Sequence, residues 1–115
     1  PLANIVKDLQ FDKAVINLAT PSSIQFPHTH GTSTVITYYI NPDWKKEYYG
    51  ETIFYDDSMT HCIGTSLYHT NSAVIFDGKI PHSIRPASHI APSYRFSLSV
   101  FFRQKNFIEE AKNNT

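Results

Sequence analysis

A single cysteine, Cys62, stands in the whole chain, so no internal disulfide can form and a cystine-stapled secreted scaffold is excluded. The expectation is a reducing, cytoplasmic setting. Cys62 reads as a buried or idle thiol rather than a nucleophile, because no motif surrounds it. Neither sign of charge is in excess: ten Lys and Arg stand against ten Asp and Glu. That balance argues against a nucleic-acid partner or an acidic membrane surface. No apolar run is long enough to span a bilayer, no signal-peptide pattern is found, and internal repeats and low-complexity tracts are missing. The chain starts at Pro1 rather than at an initiator methionine, which reads as a fragment or a trimmed product. What remains is one domain over residues 1–115, with 41% apolar and 14% aromatic residues to build a core.

The apolar spacing of Leu2, Ile5, Val6 and Leu9 predicts a short amphipathic helix over residues 2–10. After it the period changes from helical to strand-like. Residues 13–20 (KAVINLAT) predict a strand ended by Pro21-Ser22-Ser23, and residues 24–30 a second extended piece turned by Gly31-Thr32-Ser33. Residues 34–41 (TVITYYIN) are β-branched or aromatic almost throughout and make the clearest strand. Further strands are expected at 51–55, near 65–68, at 72–76, at 80–85 and at 94–103, with a helix or tail over 104–112. Seven or eight short strands and little helix predict an all-β sandwich or barrel.

Chemistry concentrates on histidine. In an extended segment residues i and i+2 share a face, so His28 and His30 can address one point. His82, in Ile80-Pro81-His82-Ser83-Ile84, can supply a third imidazole from a distant strand end. The last strand alternates: Phe96, Leu98, Val100 and Phe102 on one face, Arg95, Ser97 and Ser99 on the other. The polar face is either an ordinary exterior or the inside of a barrel. If inside, Arg95 is a buried cation that needs an anion, and with Ser97 it suits a carboxylate. His61, His69 and His89 read as solvated loop residues, Lys45-Lys46-Glu47 as a solvated loop, and Asp56-Asp57 as a turn pair.

Taken in order, His28-Thr29-His30, Tyr38-Tyr39-Ile40-Asn41-Pro42-x-Trp44, Gly50-Glu51-Thr52, Phe76-Asp77-Gly78 with Pro81-His82, and Arg95-Phe96-Ser97 resemble the core of the 2-oxoglutarate/Fe(II)-dependent dioxygenases, nearest the prolyl-4-hydroxylase branch. The resemblance spans roughly residues 15–102. It implies a double-stranded β-helix, the cupin-like jelly roll, with the short helix at its N-terminus. It implies that His28 and His82 ligate Fe(II), that Arg95 and Ser97 hold the distal carboxylate of 2-oxoglutarate, and that Tyr39 hydrogen-bonds the same cosubstrate. Trp44 and the Gly50-Glu51-Thr52 turn look structural. Ascorbate would be an accessory reductant. The implied reaction is hydroxylation of a substrate C–H, with a peptidyl proline favoured by analogy over another protein or small-molecule substrate.

Two departures stand out. The family's carboxylate ligand position holds His30, which would be a third ligand, a residue swung aside, or the mark of a degenerate site. Only 27 residues precede His28, fewer than such enzymes usually carry, so the chain is either a minimal version or lacks the N-terminal part with its backing helices. Two alternatives to the oxygenase follow: a non-catalytic jelly-roll module that binds a metal or ligand, and a three-histidine metalloenzyme of another reaction type.

Overall fold

The structure, a computed structural model, describes residues 2–105. It is mostly β: a short helix α1 (Leu2–Val6), then β1 (Leu9–Ala19), β2 (Thr34–Tyr39), β3 (Thr52–Tyr55), β4 (Cys62–Ser66), β5 (Ala73–Asp77), β6 (His82–Ile84) and β7 (Arg95–Gln104), with one 3₁₀ turn at Lys46–Tyr48. Two antiparallel sheets result. One has the order β1-β7-β2-β5, the other β4-β3-β6. Most connections cross from one sheet to the other; only β1 to β2 and β3 to β4 stay within a sheet. The sheets face each other across Val35, Phe54, Phe76 and Phe101, which pack together from β2, β3, β5 and β7. A second cluster of Tyr39, Trp44, Tyr68 and Ala87 closes the other end.

Several elements depart from expectation for identifiable reasons. The helix predicted over 2–10 stops at Val6, because residues 9–11 pair with β7 (Leu9 with Gln104, Phe11 with Phe102) and ladder bonds outweigh a marginal helical turn. The extended piece at 24–30 reaches regular pairing only at His28, which exchanges both backbone bonds with His82 at 3.0 Å. The next rungs are diverted: the Ile84 N–H donates to Gln25 Oε1 rather than to Phe26, and the His30 N–H to Gly78, so the ladder does not lengthen. The strand expected near 65–68 lies at Cys62–Ser66, and Cys62 is exposed rather than buried. The C-terminal helix or tail expected over 104–112 falls largely outside the described residues.

The decisive outcome concerns β7. Its polar row faces inward: Arg95, Ser97, Ser99 and then Phe101 are buried, while Phe96, Leu98, Val100 and Phe102 are only partly covered. The outer face of the larger sheet is consequently apolar, with Phe11, Ile16, Leu18 and Ile75 exposed. Asn41, just after β2, holds the start of β7. Its side-chain amide donates to the Tyr94 carbonyl at 2.8 Å and its Oδ1 accepts the Phe96 N–H at 2.6 Å, bracketing Arg95.

Candidate metal centre

His28, His30 and His82 converge, each offering a ring nitrogen within 4.8 Å of the other two. Their ring centroids are 4.5–5.0 Å apart. Local backbone explains the convergence. The His28–His82 rung aligns those two residues across the edge of β6, and the His30 N–H donates to the Gly78 carbonyl at 2.7 Å. Gly78 is required for that approach, since a Cβ there would lie 2.8 Å from the Ser33 carbonyl oxygen and 3.0 Å from His30 Cβ.

The rings are oriented as ligands need to be. His28 Nδ1 lies 3.0 Å from the Phe26 carbonyl and His82 Nδ1 2.9 Å from the Ile80 carbonyl. A carbonyl only accepts, so Nδ1–H is the donor in both, and each Nε2 lone pair is left free for an ion. His30 rests edge-on against Phe101 at 4.9 Å, without such an anchor. Burial, then the His82, His28 and Lys13 charges, push His30 down to about 4. Burial also depresses His82, more than its bond to Ile80 raises it. Both rings are therefore neutral at pH 7, the form that binds a metal.

The three histidines border a cavity of about 200 Å³ between the sheets, whose wall also includes Lys13, Asn17, Thr52 and Ser97. Among the described residues no Asp or Glu lines it, and Asp56 is committed elsewhere: its carboxylate accepts the Thr60 and His61 N–H groups at 2.9 and 3.2 Å, as a turn residue. His61, His69 and His89 are exposed. Beneath Ser97 lies Arg95, fully buried, with Nε donating to the Gly50 carbonyl at 2.8 Å and Nη1 to Ser97 Oγ at 3.2 Å. Its Nη2 has no partner and is the one buried side-chain polar atom so placed among the described residues. Burial lowers its affinity for the proton, an effect the nearby Tyr39, Tyr68 and Glu51 oppose. Tyr39 is fully buried. Its hydroxyl meets Thr52 Oγ1 at 3.0 Å and Ser66 Oγ at 2.9 Å, and the ring lies below the cavity rather than along its wall.

The donor set fits a borderline divalent cation, and the orphaned Nη2 fits an anion. Gly50 supports the cradle: at φ +86°, any Cβ would press on Arg95 Cδ and Nε at 3.2 Å. Trp44, whose indole N–H donates to the Tyr49 carbonyl at 2.7 Å, stacks on Tyr68, which in turn lies 5.2 Å from the guanidinium. No protein-family model matches the chain, and no curated protein matches it either.

Proposed function

We propose that this chain is a 2-oxoglutarate- and Fe(II)-dependent oxygenase built on a jelly roll. The observation that carries the reading is the buried Arg95, paired with no carboxylate among the described residues and with an unbonded Nη2, near a cavity whose wall presents three convergent imidazoles. The strand order supports it: with the His28 segment counted as an edge strand beside β6, eight strands fall into two four-membered layers and alternate between them except at β3 and β4, as in a jelly roll.

In this reading His28, His30 and His82 hold the metal, which supplies dioxygen activation. Arg95 and Ser97 take one carboxylate of 2-oxoglutarate, bidentate recognition being the guanidinium's particular strength. Tyr39 acts through Thr52 and Tyr68 through its ring, both keeping Arg95 dry and so strengthening its pairing. The balance is substrate C–H plus O₂ plus 2-oxoglutarate giving C–OH, succinate and CO₂.

A second reading has its own observation. The cluster contains no carboxylate, and three neutral imidazoles suit Zn(II) better than Fe(II). A metal-binding module without redox activity would have this donor set. Succinate formation from 2-oxoglutarate under Fe(II), ascorbate and air separates the two. The oxygenase reading expects succinate in the parent and loss of both metal and succinate in His82→Ala. A parent that binds Zn(II) tightly but yields no succinate under any metal supports the module instead.

A further inference from the structure

Lys13 is a cavity residue that the sequence reading passed over. The apolar residues of β1 that share the outer face change parity along the strand: Phe11 pairs with Phe102, then Ala14, Ile16 and Leu18 pair with Val100, Leu98 and Phe96. The switch is a β-bulge between Phe11 and Lys13. Without the extra residue Lys13 would share the outer face with Phe11. With it, Lys13 pairs with the inward Phe101 and its ammonium sits 5.0 Å above that ring. Bulges commonly re-aim a side chain beside a site. Asp12, the extra residue, is taken by Arg103 at 3.2 Å, and no carboxylate pairs with Lys13 among the described residues.

Lys13 and Arg95 cannot serve one small diacid. The Arg95 guanidinium reaches Ser97, and Phe101, whose ring lies under the Lys13 ammonium, is four residues farther along β7, about 13 Å of strand. A five-carbon diacid, with C–C bonds of about 1.5 Å, does not reach between them. Phe101 also touches His30, so Lys13 stands at the metal end of the cavity and Arg95 at the other. Among the described residues the wall carries no acid to offset Lys13 or a metal ion.

We propose that Lys13 anchors an acidic group of the substrate, so that the molecule oxidised beside the histidines carries a carboxylate, free or as an acidic side chain in a peptide. The inference rests on the oxygenase reading for what happens to the substrate, but not for the binding itself. The test uses the Zn(II)-loaded protein, with and without saturating 2-oxoglutarate, titrated by NMR with N-acetylglutamate α-amide, with N-acetylglutamine α-amide, and with an end-capped heptapeptide holding a central glutamate or glutamine. At least one acid should bind about tenfold tighter than its amide. Lys13→Gln should erase that preference, Lys13→Arg should retain it, and both should bind 2-oxoglutarate like the parent. Preference confined to the single capped residue or to the peptide identifies the source. Equal binding of acid and amide by the parent in both formats overturns the proposal, as does a preference that survives in Lys13→Gln. Failure of 2-oxoglutarate to bind the parent counts against the oxygenase reading alone, because the acid and amide titrations without it still decide the role of Lys13.

Discussion

Replacing Arg95 with methionine separates a ligand-binding cation from a structural one. In the ligand-free protein the guanidinium has only the Gly50 carbonyl, Ser97 Oγ and the faces of Tyr39 and Tyr68 at 5.7 and 5.2 Å to offset its burial. Removing such a charge from water costs several kcal/mol, and among the described residues no carboxylate pairs with it, Glu51 acting only through space while bonded to Arg85. Methionine fills comparable space without charge. It orphans the Gly50 carbonyl, at about 1–3 kcal/mol, and forfeits about 1–2 kcal/mol of cation–π attraction. These losses nearly cancel the relieved desolvation, so Arg95→Met should stay within about 1 kcal/mol of the parent when both are ligand-free. With ligand the two diverge. At 100 times its Kd, 2-oxoglutarate should stabilise the Zn(II)-loaded parent by about 2.7 kcal/mol, a Tm rise on the order of 10 °C for a domain of this size. The variant should show no such rise, since truncating one partner of a desolvated charge pair costs about 2–5 kcal/mol of binding. Thermal melts with and without 2-oxoglutarate, backed by calorimetric titration, measure both quantities. A ligand-free variant destabilised by more than about 3 kcal/mol, beside a parent that 2-oxoglutarate leaves unmoved, would refute the reasoning and make Arg95 a packing residue.

Gly50→Ala should lower stability by about 1–2 kcal/mol through its positive φ and weaken 2-oxoglutarate further by displacing Arg95; denaturant midpoints and ligand titrations check the two effects separately, and unchanged ligand affinity would count against the cradle. The pH dependence of the metal-free protein follows from His30, whose affinity for protons falls from 6.5 in the unfolded chain to about 4 in the fold. The unfolded chain binds more protons across that window, so stability is complete above pH 6.5 and declines as pH falls toward 4, by about 1 kcal/mol after solvent screening is discounted; urea midpoints that hold or rise on acidification from pH 7 to 4 contradict this. His30→Asp should strengthen Fe(II) binding and speed succinate release, because an anionic ligand offsets the ion's charge where imidazole does not. A brisk parent and a slower variant in the succinate assay would instead make His30 a working third ligand.

Local pattern alone carried much of this protein. Thr34–Tyr39 and Arg95–Gln104 are strands because β-branched and aromatic residues alternate there, and the i, i+2 spacing of His28 and His30 already put two imidazoles on one side. The parity switch between Phe11 and Ala14 is also written in the sequence, though it gains meaning only once β7 supplies the opposite register. Alternation, however, is symmetric under a flip: it divides β7 into a polar and an apolar row without saying which is inside. Packing against the smaller sheet decided that, burying Arg95, Ser97 and Ser99 and leaving the apolar row partly open, against the simplest hydrophobic expectation. The same packing brought His82 to His28 across 54 residues of chain, set Gly78 under His30, and tied the Tyr39 hydroxyl to Thr52 and Ser66. Each of these is a contact between distant segments, fixed by which strands share an edge, and single-strand periodicity holds no information about edges.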